Sequence, residues 1–242
     1  MKLTIPHRYD FGQNAEVVGD NLLSSAAWDR LRLDAADPSF VLATDRATWL
    51  QRCKQSVDTT IRAKEIGEII TAKKFCTIFS VGVGCACLEY QLKVQLPHVR
   101  LICAEFSPRV LQRLSALFLK ADQIIFFDMT SPQWPKFDDK TLYLLNRVDT
   151  DLSDSQWKQV FANMARSKAD HVMVVATGFI TFKTLAWETL QHCRNFWRHR
   201  SATLAGYLRT KEMFKSLWLP HYKIEMEQPV GGLASFLLRR IE

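Results

Sequence analysis

Short apolar runs alternate with helical patterns along most of the chain. Runs rich in β-branched and aromatic residues occupy 75–80, 99–104, 124–127, 141–145 and 171–176, and segments with apolar positions at helical spacing follow them. Continuous apolar runs separated by helices are typical of strands buried in a parallel sheet that has helices on both faces. The pattern therefore predicts a doubly wound α/β fold.

The end of the chain predicts a different arrangement of strands. Residues 222–228 alternate apolar and polar side chains, and Gly231 and Gly232 turn the chain into a last apolar run over 233–238. Two strands joined by a short glycine turn form an antiparallel hairpin, which we expect at or near the sheet edge. The expected sheet is therefore seven-stranded and mostly parallel, with a C-terminal antiparallel hairpin.

Other segments have no strand pattern. Residues 1–40 are irregular, helical spacing covers about 44–71, and a long helical pattern covers about 182–217. We expect residues 1–72 to form an N-terminal helical cap, or lid, and residues 73–242 to form the main α/β domain.

Composition and charge narrow the class of protein. The chain has 242 residues, of which 48% are hydrophobic and 24% charged, as in an ordinary soluble globular protein. No apolar run approaches the roughly 18 residues of a membrane span, and charges occupy the positions where a secretion signal has its apolar core. We therefore expect a cytoplasmic protein with no membrane partner. The formal charge of +7 favours anions, so an acidic small molecule or a nucleic acid stays open as a partner.

The cysteines have no metal-site pattern. Cys85 and Cys87 are separated by one residue, and no second Cys or His pair lies at zinc-site spacing. We expect no bound metal, and we expect reduced thiols that act as small apolar side chains. The six cysteines are Cys53, Cys76, Cys85, Cys87, Cys103 and Cys193.

A glycine turn follows the first predicted strand. The strand ends at Ser80, Gly82 and Gly84 break the apolar run, and a helical pattern begins at Ala86. Such a turn lets a ligand approach backbone N–H groups at a helix N-terminus, where the helix dipole favours polar or anionic groups.

Acidic residues stand at the ends of the next two predicted strands. Glu105 ends the second strand and Asp128 follows the third. The carboxyl ends of parallel strands meet at one sheet edge, where α/β proteins bind ligands, and an acid after the second strand can accept both hydroxyls of a ribose. Together with the glycine turn, these residues predict a site for a nucleoside-bearing cofactor.

This order of elements resembles the class I S-adenosylmethionine-dependent methyltransferases, whose fold is Rossmann-like. The resemblance covers about 75–242. In that family an acidic residue and three glycines form the turn after the first strand. Here Ser80 stands at the acidic position, Gly82 and Gly84 match two glycines, and Ala86 replaces the third.

The resemblance implies S-adenosylmethionine as the cofactor and assigns residues to it. Glu105 and Phe106 resemble the family's ribose-binding segment, Asp128 and Met129 fall where the family holds the adenine amino group, and Asn146 begins the loop expected to face the reactive methyl group. The implied cofactor-binding residues are Ser80, Gly82, Gly84, Cys85, Glu105, Phe106, Asp128, Met129 and Asn146.

The activity that the resemblance implies is methyl transfer to an O or N atom of a small molecule by direct in-line displacement. Arg147 and Val148 follow Asn146 where enzymes that methylate exocyclic amines of nucleic-acid bases carry two prolines, which disfavours that chemistry. Transfer of the cofactor's aminocarboxypropyl group, RNA methylation and a binding module without turnover stay open.

No pattern singles out one catalytic residue. Asp149 and Asp151 lie in the loop after the fourth strand and could act as a general base or as metal ligands. His199 follows the fifth strand and could reach the site as a base. Tyr207 and Lys211 have the Tyr-x-x-x-Lys spacing that resembles short-chain dehydrogenases. On one helix the lysine would lie beside the tyrosine and lower its pKa, so an NAD(P)-dependent oxidoreductase is the rival class.

Overall fold

The structure is a computed structural model that describes residues 2–9, 21, 23–35, 41–197 and 203–242. The described strands are β1 (Thr4–Tyr9), β2 (Thr77–Val81), β3 (Arg100–Glu105), β4 (Gln123–Phe126), β5 (Thr141–Asn146), β6 (His171–Val175), β7 (Thr203–Arg209), β8 (Tyr222–Val230) and β9 (Leu233–Arg240). The described helices are α1 (Ser25–Leu33), α2 (Arg46–Gln55), α3 (Val57–Lys73), α4 (Cys87–Gln95), α5 (Pro108–Leu117), α6 (Asp154–Arg166), α7 (Phe182–Trp197) and α8 (Lys211–Trp218). None of these helices combines the length and the hydrophobicity that crossing a bilayer requires.

Seven strands form one sheet in the order β4-β3-β2-β5-β6-β9-β8. Strands β2 to β6 are parallel to their neighbours within that group, whereas β9 is antiparallel to both β6 and β8. The fold class is therefore confirmed: a mostly parallel, seven-stranded sheet that ends in an antiparallel hairpin. A separate antiparallel pair joins β1 to β7.

The two faces of the sheet carry separate apolar cores. Ile78 of β2 and Leu142 of β5 belong to a core shared with α2 to α5, whereas their neighbours Phe79 and Tyr143 belong to a core shared with α6 and α8. All residues of β2 are buried, which explains its continuous apolar run. Helices therefore cover both faces, and the loops at the carboxyl ends of the strands lie between these layers.

The sequence pattern missed three of the elements: β1, α1 and β7. Residues 1–40 contain β1 and α1, so the expectation of an irregular segment is wrong for both. The predicted helical region over 182–217 is also wrong in its middle, where β7 pairs with β1. A Cβ atom on Gly206 would lie 2.3 Å from the backbone oxygen of Thr150, and Tyr207 N donates to that oxygen at 2.8 Å. These tertiary contacts override the local helical spacing.

The expectation of reduced cysteines is wrong for one pair. Cys53 of α2 and Cys87 at the start of α4 form a disulfide, with their Cα atoms 4.6 Å apart, because α2 packs on α4. Cys76, Cys85 and Cys103 are free thiols. The disulfide ties the first residue of α4, directly after the glycine turn, to a helix of the N-terminal segment.

Candidate active site at the carboxyl edge of the sheet

A crevice runs along the carboxyl edge of the parallel strands. It has three cavities, named here after the nearest strand end: the β4 chamber of about 270 Å³, the β3 chamber of about 80 Å³ and the β5 chamber of about 440 Å³. Trp28, Gly82 and Asp151 line all three, so the chambers adjoin one another along this edge. Doubly wound sheets bind their ligands at this position.

The glycine turn between β2 and α4 forms part of the wall of the crevice. Gly82 and Gly84 have φ angles of +69° and +54°, which other residues rarely adopt. A Cβ atom on Gly82 would also lie 2.6 Å from Cγ1 of Val148. The turn can therefore pass beside Val148 only with glycine at position 82. Helix α4 begins three residues after Gly84, with its N-terminus at the crevice.

Glu105 lies at the end of β3 and lines the β3 chamber, although it is only 4% exposed. Its Oε1 accepts hydrogen bonds from the backbone N–H groups of Phe106 and Ser107, and its Oε2 accepts one from Gly84 at 3.0 Å. Burial raises the pKa of this carboxyl, and the three N–H groups oppose that rise. The carboxylate is thus fixed in place and keeps about one of its four lone-pair sites for a ligand.

Asp128 lies at the mouth of the β4 chamber and is exposed. Its Oδ1 accepts hydrogen bonds from the backbone N–H and the hydroxyl of Thr130, at 2.8 and 2.7 Å. Phe106, Phe127 and Met129 form apolar walls of the same chamber. An apolar slot with an acceptor at its edge suits a flat heterocycle that carries an amino group.

Helix α1 covers the crevice, which sequence reasoning missed. Trp28 lines every chamber, and the Arg32 guanidinium lies 5.2 Å from the Trp28 ring and above Gly84. Asp29 anchors the helix because its Oδ1 accepts a hydrogen bond from the Ser107 hydroxyl. The N-cap residue before α1 could have predicted a helix, but no signal in the sequence places that helix over the sheet edge.

Asp151 occupies the centre of the crevice, in the loop between β5 and α6. Burial raises its pKa to about 7, the Asp149 charge adds to the rise, and the Thr150 hydroxyl and Arg32 oppose it. A carboxyl group with this pKa is close to half ionised at neutral pH. It can therefore take up a proton from a bound molecule.

Asp149 does not reach the crevice. It is 5% exposed and is not among the described residues that line the chambers. Its Oδ1 accepts a hydrogen bond from Thr177 N at 2.7 Å, and its backbone oxygen accepts from Trp157 Nε1 and Arg209. It therefore joins the loops that follow β5 and β6.

The structure separates the predicted Tyr207–Lys211 pair. Tyr207 lies in β7 and Lys211 begins α8, so the expectation of one shared helix is wrong. Lys211 pairs instead with Glu227, and the Arg209 guanidinium lies 5.8 Å from the Tyr207 ring. Tyr207 is not among the described residues lining the chambers. His199 lies outside the described residues.

Ser80 lies in β2, beneath the glycine turn, and is 1% exposed. It does not line a chamber in the described part of the chain, but its hydroxyl donates a hydrogen bond of 2.7 Å to Oε1 of Glu89. Glu89 does line the β5 chamber, and burial raises its pKa to about 7. Sequence reasoning did not single out Glu89, which lies within the apolar face of α4.

The other predicted cofactor residues all reach the crevice. Cys85 lines the β5 chamber, and its backbone oxygen accepts a hydrogen bond from Trp49 Nε1 at 2.8 Å. Asn146 lines the same chamber, and its buried Oδ1 has no partner among the described residues. The predicted residues that line the crevice are Gly82, Gly84, Cys85, Glu105, Phe106, Asp128, Met129 and Asn146.

Comparisons of sequence find no match, whereas comparisons of structure find proteins with a similar fold. No family model matches the chain, and no curated protein matches it. The mitomycin 7-O-methyltransferase MmcR superposes with a TM-score of 0.58 at 17% identity, over 95% of this chain and 76% of MmcR. Human N-acetylserotonin methyltransferase, solved in complex with S-adenosylmethionine, gives 0.54 at 17% identity, over 81% of this chain and 56% of the human enzyme.

A third similar structure is titled a pericyclic reaction enzyme and gives a TM-score of 0.52 at 17% identity, over 69% of this chain and 43% of that one. The chain thus spans about half the length of the human and the pericyclic enzymes. These likenesses show that the chain has the fold of the class I S-adenosylmethionine-dependent methyltransferases. They establish the fold and not the reaction, since one fold supports different chemistries.

Proposed function

We propose that the protein is an S-adenosylmethionine-dependent methyltransferase that methylates a hydroxyl oxygen of a small molecule. The observation that carries the proposal is the single crevice into which Gly82, Glu105, Asp128 and Asp151 all project. The β3 and β4 chambers suit a nucleoside, and the larger β5 chamber has polar walls and space for the polar tail of the cofactor and for an acceptor. The fold shared with methyltransferases, two of which are described above, supports the same assignment.

The residues of the β3 and β4 chambers fit the adenosine part of the cofactor. Glu105 can accept a hydrogen bond from a ribose hydroxyl, because a carboxylate offers about four lone-pair sites and N–H groups use three of them. Asp128 can accept a hydrogen bond from the adenine amino group, while Phe106 and Met129 contact the ring faces or edges. Trp28 of α1 would exclude water from this side.

When bound, S-adenosylmethionine supplies a methyl group that its sulfonium already activates for displacement. The chain has to align the acceptor, exclude water and remove the acceptor's proton. We assign proton removal to Asp151, because it lies where the chambers meet and its pKa of about 7 lets it act at neutral pH. A carboxylate oxygen of Asp151 would accept the hydroxyl proton as the acceptor oxygen forms its bond to the methyl carbon.

The β5 chamber is the place that we assign to the acceptor. It is the largest of the three, and its walls combine polar, aromatic and basic side chains from the glycine turn, β1, α1 and α3. This mixture suits a small aromatic hydroxy compound, including one that carries an acidic group. We infer that the segments before residue 73 act as a lid. Residues that they contribute to this chamber include His7, Tyr9, Trp28, Arg32 and Arg62.

Ligand binding provides the first test of this proposal. S-adenosylmethionine and S-adenosylhomocysteine at 100 times their dissociation constants should stabilise the protein by about 2.7 kcal/mol, which raises the melting temperature by roughly 5–10 °C. NADH and NADPH should have no effect. A melting temperature that rises only with NAD(P)H would overturn the proposal in favour of an oxidoreductase.

Turnover provides the second test. The protein is incubated with S-adenosylmethionine and a panel of small phenols and hydroxy acids, and mass spectrometry follows both products. We expect a mass gain of one methyl group on an acceptor together with S-adenosylhomocysteine. Release of methylthioadenosine with an aminocarboxypropylated product would instead identify transfer of the other group of the cofactor.

A further inference from the structure

Two buried side chains of opposite charge face the β5 chamber. Glu89 of α4 is 2% exposed and Arg62 of α3 is 6% exposed. Their charges attract each other, since each acts on the other's pKa in the direction that favours the charged form. Within the described part of the chain no ion pair or hydrogen bond joins the two, and Arg62 Nε has no partner there.

A buried charged group without a full set of partners is costly, so such groups mark places where a ligand can supply the missing partner. The Ser80 hydroxyl donates to one oxygen of Glu89, which leaves the carboxylate able to accept further hydrogen bonds. Other charges that act on this pair come from Arg147, Asp58 and Glu105. The chamber therefore presents one acceptor group and one donor group to the same space.

We propose that Glu89 and Arg62 bind the amino-acid end of S-adenosylmethionine, an inference that rests on the function proposed above. The Glu89 carboxylate accepts hydrogen bonds from the α-ammonium group, and the Arg62 guanidinium donates to the α-carboxylate. A zwitterion needs partners of both signs close together. Glu89 and Arg62 supply them on the chamber that adjoins Gly82 and Gly84.

This assignment also explains the serine at the start of the glycine motif. In the family that the sequence resembles, the position of Ser80 holds an acid. In this chain Glu89, 9 residues away, brings its carboxylate to the Ser80 hydroxyl. The negative charge of the motif is therefore moved from β2 to α4, and it is not lost. Arg62 adds a donor from the N-terminal segment.

Calorimetric titration can isolate this end of the cofactor. S-adenosylhomocysteine carries the amino-acid group, whereas 5′-methylthioadenosine carries the same nucleoside without it. We expect Glu89→Gln to weaken S-adenosylhomocysteine binding by about 10- to 100-fold and to change methylthioadenosine binding by less than about twofold. Arg62→Gln should show the same selectivity. The matched control is Glu68→Gln, a change on α3 at a side chain that is 66% exposed, and it should affect neither ligand.

The outcomes separate this proposal from the proposed function. If the wild-type protein binds neither nucleoside, the proposed function is wrong. If it binds both and the Glu89 and Arg62 variants weaken neither, or weaken both equally, the assignment of these two residues is overturned while the function stands.

A measurement on the wild-type protein covers the case in which the variants fail to fold. Burial raises the pKa of Glu89 to about 7 in the free protein, so an ammonium group that binds there must displace a proton. At pH 6.5, S-adenosylhomocysteine should therefore release about half a proton or more beyond methylthioadenosine, measured by titration in buffers of different ionisation enthalpy. Glu105 and Asp151 meet both ligands alike and cancel in this difference. Equal proton release would contradict the assignment.

Discussion

The two ends of the crevice are built in different ways. In the β3 and β4 chambers the polar groups are Glu105, the last residue of β3, and Asp128, two residues after β4. These strands are neighbours in the sheet, so strand order alone brings the two side chains together. In the β5 chamber, Arg62, Glu89 and Tyr9 come from α3, α4 and β1, which only tertiary packing places side by side. The first end is suited to the nucleoside of the cofactor, and the second combines groups suited to the cofactor's amino-acid end with space for an acceptor.

The acidic side chains of the two ends also differ in their hydrogen-bond partners and in their pKa shifts. Glu105 is held by three backbone N–H groups and Asp128 by Thr130, so both acceptors are oriented before any ligand binds. Glu89 and Asp151 have fewer partners, and burial raises the pKa of each to about 7. We therefore expect proton exchange near neutral pH at Glu89 on the β5 side and at Asp151 in the centre of the crevice.

The largest effect that this contrast predicts is on turnover. Asp151→Asn removes the proposed base, and we expect kcat to fall by about 100-fold or more while the dissociation constant of S-adenosylhomocysteine changes by less than about threefold. The wild-type rate should fall about tenfold per pH unit below pH 7, because the carboxyl whose pKa is raised to about 7 is then protonated. The rate of the Asp151→Asn variant should not show this fall below pH 7.

Asp139→Asn, a change at an exposed carboxylate away from the crevice, is the control for these measurements and should leave both rate and profile unchanged. If the Asp151 variant binds the cofactor far more weakly but turns over normally at saturation, the prediction is contradicted, because the residue then serves binding and not proton removal. This outcome would place Asp151 with the nucleoside-binding residues.

The next largest effect concerns affinity at the β3 chamber. Glu105→Ala should weaken S-adenosylhomocysteine and methylthioadenosine alike, by about 10- to 100-fold, because both share the ribose and lose a buried charged acceptor. Calorimetric titration of both ligands distinguishes this from the selective loss expected of Glu89→Gln. Since Gly84 N would lose its partner, Glu105→Gln serves as the milder companion variant. Undiminished affinity for methylthioadenosine would remove Glu105 from the ribose site.

Most of the sheet could be predicted from the sequence because its strands are buried on both faces and their apolar runs are local. The β1–β7 pair could not, since it joins residues such as Thr4 and Arg209 from opposite ends of the chain. The Tyr207–Lys211 spacing fits a helix locally, yet Gly206 packs against the Thr150 oxygen and the segment extends. Periodicity carries no information about such distant contacts.

For the same reason, only some residues of the candidate site could be predicted from the sequence. Glu105 and Asp128 were identified because their positions relative to strand ends fix their place in space. Glu89 was missed because it lies in an apolar stretch of α4, and only the Ser80 contact reveals that its carboxylate replaces the one absent from the motif. Trp28 and Arg62 belong to helices whose docking over the sheet edge depends on the whole fold.

The smallest effect should come from Asp128, although it lies at the predictable end of the crevice. Its carboxylate is exposed, and water competes for the hydrogen bond that it would accept from the adenine amino group. We therefore expect Asp128→Asn to weaken S-adenosylhomocysteine by only about two- to fivefold, measured by titration.

An analogue of S-adenosylhomocysteine in which hypoxanthine replaces adenine tests whether the small loss of affinity comes from a hydrogen bond between Asp128 and the adenine amino group. Hypoxanthine lacks the amino group, so the wild-type protein should bind the analogue more weakly than S-adenosylhomocysteine by about the same two- to fivefold factor. Asp128→Asn should bind the two equally, because its amide cannot replace the charged acceptor fully and the carbonyl of hypoxanthine can accept from its N–H₂ group. If the variant keeps the full preference for adenine, then the walls formed by Phe106 and Met129 discriminate the ring, and exposure at the mouth of the β4 chamber leaves Asp128 without a part in recognition.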